Sequence, residues 1–99
     1  NPRFTEPNFS ANLVALVPFR ALCAARGWSV PGAALAWVSA QGDHIIPIPG
    51  TRKAEHLHDW QVPRLDAADI ATIERVLPAG FAHGDRYGDH QMAFVERYC

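Results

Sequence analysis

Apolar residues recur at helical spacing through most of the chain and abandon it in one short stretch. The first nine residues (NPRFTEPNF) carry two prolines and little periodicity and read as loop. Leu13, Leu16, Val17, Phe19, Leu22 and Cys23 then fall along one helical face, because 3.6 residues per turn bring positions three and four apart together. This spacing predicts a helix from a Ser10 cap to about Arg26. Pro18 should kink it by removing a donor and crowding the preceding turn, and Gly27 should close it in a left-handed cap. Ser29 predicts a second N-cap, with Pro31 in the first turn, where a missing N–H is harmless. Ala33 to Val38, with Leu35 and Trp37, predict a small-residue helix ending at Gln41-Gly42. Asp66, with Asp69 three residues on, has capping-box spacing. The helix it opens should bury Ile70, Ile73, Val76 and Leu77 and stop at Pro78. Residues 79–88 (AGFAHGDRYG) read as a glycine-punctuated loop, and a last helix from about Asp89 should bury Met92, Val95 and Phe94.

The exception is IIPI at residues 45–48. It is apolar on both faces, as expected of a buried parallel strand. Pro47 and Pro49 share parity, so they remove donors from one edge only. Gly50-Thr51 ends the run, residues 52–59 read as a short helix, and Trp60-Gln61-Val62-Pro63 as a connector. The predicted order is helix, helix, strand, helix, helix, helix. A lone strand would leave its ladder groups unpaired. The expectation is therefore an α/β domain in which neighbouring strands come from another polypeptide or from a longer chain.

Composition narrows the function classes. The 99 residues suit one small domain, with 48% hydrophobic and 19% charged residues. A formal net charge of -1 gives no general attraction to nucleic acid or to an anionic membrane. Apolar runs fall short of the roughly 20 residues of a membrane span. No leader pattern opens the chain, and Asn-Pro-Arg-Phe reads as the interior of something longer. Cys23 and Cys99 lack metal or redox spacing. Their number allows one bridge, but free thiols in a reducing, cytoplasmic compartment are the expectation. His56 and His58, two apart, do not share a helix face. No metal site is expected, and His44, His83 and His90 are assigned to surface or loop.

The ordered motifs resemble one family. Arg3-Phe4, Asn8-Phe9, Asn12-Leu13, Gly27, ALAW at 34–37, IPIPGTRK at 46–53 and Gly84-Asp85-Arg86-Tyr87 together resemble the C-terminal third of a bacterial aldo-keto reductase. The resemblance covers nearly the whole chain. It implies that residues 1–99 are the C-terminal part of a single (β/α)8 TIM-barrel domain, incomplete alone, with 45–48 as its last strand beside outer helices and a tail. The remainder of the barrel would be the partner. Such enzymes use NADP(H) to interconvert small carbonyl compounds, aldehydes or ketones, with alcohols. The family's catalytic Asp, Tyr, Lys and His lie on earlier strands and match nothing here, so Tyr87 and Tyr98 are not the catalytic acid. The alternative is a truncated, non-catalytic remnant serving as a helical interaction or anion-binding module.

What the resemblance does carry over is the site for the cofactor's adenosine 2'-phosphate. The matching positions are Gly50, Thr51, Arg52 and Lys53, then His56 and Asp59. A helix start offers unpaired N–H groups to an anion, Thr51 a hydroxyl, and Arg52 a planar fork. Two positions depart from the family pattern: His56 stands for Arg or Gln, and Trp60 for Asn. The tail triplet Asp85-Arg86-Tyr87 resembles tails that help to wall substrate pockets. Trp28 and Trp37 are assigned to packing.

Overall fold

The first helical stretch is set by its prolines and by Glu6. In a computed structural model, which describes residues 1–61 and 63–95, α1 runs Asn8–Ala15 and α2 Val17–Arg26. Val62 of the expected connector, and Tyr98 and Cys99, lie outside the described residues. The helix starts earlier than the expected Ser10 cap. The Glu6 carboxylate accepts from the Ser10 hydroxyl at 2.8 Å and from its N–H at 3.4 Å, so Ser10 sits inside the first turn. A 3-10 turn at Pro2–Phe4 also replaces part of the expected loop. Pro18 falls in the first turn of α2, and the kink takes the form of a break at Leu16. Gly27 ends α2 at φ 66°, ψ 25°, as its position demands. The whole stretch Asn8–Arg26 is 19 residues and contains an 18-residue window of mean hydropathy 1.3, long and apolar enough to span a bilayer by length and composition alone. Its Phe19 and Cys23 are buried against protein.

Local capping signals fix the other helices. The Ser29 hydroxyl accepts from Gly32 N–H at 3.0 Å and opens α3, Val30–Ser39. Asp66 opens α4, Ala67–Val76, and both arms of its capping box form: Asp69 N–H donates to Asp66 at 2.8 Å and Asp66 N–H to Asp69 at 3.3 Å. A single turn, α5, covers Asp89–Met92. It buries Met92 and leaves Phe94 82% exposed, correcting the expectation that Phe94 packs inward.

Residues 45–48 form no strand, and there is no sheet among the described residues. The α/β assignment and the role of this run as the last strand of a barrel are overturned: the structure is helical. No neighbouring strand is available to pair with the run, Pro47 and Pro49 donate nothing, and the backbone stays open. Ile46 and Ile48, expected to be buried, are 81% and 93% exposed.

The core lies where α2, α3 and α4 meet. Phe19, Cys23, Ala33 and Ile73 are its buried centre, with Leu22, Trp28, Val30, Trp37, Leu65, Val76 and Leu77 packed around them. Ala33 is wholly buried and lets the α3 backbone approach α2. Asp69 then ties α4 to α2 by an ion pair with Arg26, whose guanidinium also sits 5.3 Å from the Trp28 ring centroid. At the chain's opening, the Asn12 amide donates to Arg3 and His83 carbonyls at 3.1 and 3.0 Å and accepts from His83 N–H at 2.7 Å. This clips the 79–88 loop against the first turn.

Two outcomes follow from this core. Arg26→Ala should lower stability by about 1 kcal/mol, since Arg26 is half-exposed but leaves a buried carboxylate behind. Asp69→Ala should cost more, because a cap is lost as well. Urea unfolding of both variants and the double variant checks this, and the double should be no weaker than Asp69→Ala. Burial pushes the Cys23 thiol above its ordinary value of 9.0, opposed by a weaker backbone hydrogen bond. The unfolded thiol therefore ionises first as pH rises. Stability present below about pH 9 should decline as pH climbs toward the folded pKa, in a comparison of the wild type with Cys23→Ala.

Candidate functional site

The stretch after the exposed run is organised by one hydroxyl. Thr51 Oγ1 accepts from Lys53 N–H at 3.2 Å and donates to Lys53 C=O at 3.1 Å, folding Thr51 to Lys53 into a tight turn. Lys53 is extended, at φ -130° and ψ 130°, and only after it does a helix begin. That helix, Ala54–Trp60, is 3-10 and has no side-chain cap, in place of the expected start at residue 52. Its i to i+3 bonds include His56 N–H to Lys53 C=O at 3.2 Å and Gln61 N–H to His58 C=O, also at 3.2 Å.

α3 holds this segment in place. Ser29 Oγ donates to Asp59 C=O at 2.9 Å, in addition to its capping role. Gly32 allows the close approach: a Cβ there would lie 2.9 Å from Gln61 O and 3.0 Å from Asp59 O. The first turn of α3 is thus a seat for the back of the 3-10 segment.

The front of the segment opens on two adjoining clefts. One, of about 530 Å³, is lined by Gly50, Thr51, Arg52, Lys53 and His56. A smaller one, of about 120 Å³, shares Gly50, Thr51 and His56 and adds Pro31, Asp59 and Trp60. The structure therefore brings together Gly50, Thr51, Arg52, Lys53 and His56 at the larger cleft and sets Asp59 and Trp60 beside it. Lys53 Nζ lies 3.1 Å from Glu55 Oε1, and His56 Nε2 lies 3.8 Å from the same oxygen. Arg52 makes no hydrogen bond or ion pair among the described residues. Among those residues there is also no group of three or more side chains able to hold a metal ion.

Sequence comparison supplies the family. Over 97 residues, 95% of its length, the chain is 35% identical to an aldo-keto reductase of Gibberella moniliformis. Over 58 residues, 59% of its length, it is 36% identical to aldo-keto reductase yakc, named for NADP(+), of Schizosaccharomyces pombe. The chain is related to the aldo-keto reductases. The matches cover 29% and 17% of those two relatives. They support a relationship to a part of these enzymes and do not bear out the bacterial type. No family model matches the chain, and no solved structure matches it.

Within this aldo-keto reductase relative, sequence reasoning missed the residues that act by proximity. Ser29 was legible as a cap, but its bond to Asp59 crosses 30 positions. Glu55 was hidden by the expected helix, on which positions 53 and 55 would diverge. The extended Lys53 brings the two side chains together instead. Tyr87 is exposed, at 40%, and lines neither cleft.

Gly32→Ala tests the seat. The added methyl must push the 3-10 segment away at a cost of about 1–3 kcal/mol. Amide exchange should quicken at 54–61 while the interior of α3 stays protected. Unchanged exchange at 54–61 would mean the segment does not depend on this contact.

Proposed function

We propose that this chain supplies the phosphate-binding corner for the 2'-phosphate end of NADP(H) in an oxidoreductase that interconverts aldehydes or ketones with alcohols. The observation that carries the reading is the larger cleft. Its lining joins an arginine, a lysine, a histidine and a threonine hydroxyl beside an open glycine, all within seven residues. The name of one relative, which includes NADP(+), supports the choice of cofactor.

The physical fit is to a dianion on a sugar. Arg52 offers a planar fork able to take two phosphate oxygens. Lys53 adds a point charge on a flexible stem. His56 adds a donor, and a third positive charge when protonated. Thr51 can donate to a ligand by exchanging its internal bond to Lys53 C=O. Trp60, beside Asp59 in the smaller cleft, offers a ring face to the adenine. A bound cofactor would leave the hydride on its nicotinamide for delivery to a carbonyl carbon. Because no residue here matches the family's catalytic group, the proton and hydride steps belong to residues outside these 99, upstream in a longer chain or on a companion chain. A small carbonyl substrate, a cytoplasmic setting, and no role for nucleic acid or membrane complete the proposal.

Titration of the complete protein with NADPH and with NADH tests this corner. Arg52→Ala removes a charge-assisted, forked contact and should weaken NADPH about tenfold or more, with NADH nearly unchanged. Equal NADPH affinity in the wild type and the variant would overturn the assignment of this corner to the 2'-phosphate.

A further inference from the structure

We infer that Glu55 is an internal competitor for the cations of the larger cleft, and that it limits how strongly the site prefers a phosphorylated nucleotide. The inference rests on the proposed 2'-phosphate site and concerns its regulation. Adjacent cations such as Arg52 and Lys53 repel one another. Here that repulsion is relieved within the chain: the Glu55 carboxylate takes Lys53 at 3.1 Å and stands 3.8 Å from His56. Two of the three basic side chains lining the cleft, Lys53 and His56, therefore already lie beside a carboxylate. An incoming phosphate must displace Glu55 from them or share them with it, while Arg52 remains available outright.

The exposures decide the magnitude. Lys53, His56 and Glu55 side chains are 66%, 51% and 69% exposed. A pair this wet is weak and easily broken, so Glu55 moderates binding and does not block it. Its effect should act on ligands carrying the 2'-phosphate and should spare those lacking it. It should also fade as salt screens exposed charges.

Three variants of the complete protein, titrated with adenosine 2',5'-bisphosphate and with adenosine 5'-monophosphate, test the inference. Glu55→Gln keeps the shape and removes the charge. It should tighten the 2',5'-bisphosphate about two- to fivefold at low salt, leave the 5'-monophosphate unchanged, and lose the gain near 1 M salt. Glu74→Gln, an exposed carboxylate on α4, controls for net charge and should shift neither ligand. If Glu55→Gln shifts neither ligand, or both alike, while Arg52→Ala still weakens the bisphosphate, the competitor role is overturned and the phosphate site stands. If Arg52→Ala also leaves the bisphosphate unchanged, both fall.

Discussion

The carboxylate of Asp69 is the junction on which the helical arrangement depends. It completes the first turn of α4 by accepting from Asp66 N–H, and it pairs with Arg26 at the end of α2. It is 7% exposed, so neither bond is easily replaced by water. With α4 fixed to α2, Ile73 closes over Phe19 and Cys23, and α3 fills the remaining side with Ala33. The orientation of α3 in turn presents Ser29 and Gly32 to the 3-10 segment. The cleft thus inherits its shape from a core that contributes almost none of its lining.

Signals contained within one turn of chain were legible. Gly27, the Ser29 cap and the Asp66–Asp69 box act over two to four residues, and their outcome depends little on what lies elsewhere. The strand assignment at 45–48 failed for the opposite reason. Two-faced apolarity says that a run is suited to burial, but a strand is a relation between two segments, and the second is missing among the described residues. Phe94 shows the same limit. Periodicity gave its side, but a helix of one turn ended before that side met the core.

The site was legible as a set of residues and not as a geometry. The family resemblance gathered Gly50 to Lys53, His56 and Asp59, and the structure places them around adjoining clefts. The helix type, the extended Lys53 and the engagement of Thr51 with its own turn required coordinates. These details alter the electrostatics: the expected α-helical start gives way to a charge pair. The corner holds an arginine, a lysine and a histidine, with one carboxylate beside the lysine and the histidine.

The uncovered run at 45–49 carries a liability together with its remedy. Two isoleucines held in water in an open backbone are an invitation to cross-chain pairing. Pro47 and Pro49 strip the N–H donors from the same edge, so a second chain could add to one side of the run but the stack could not continue through it. The alternation of isoleucine and proline therefore acts as a gatekeeper, denying the exposed run the repeated hydrogen bonding by which fibrils grow.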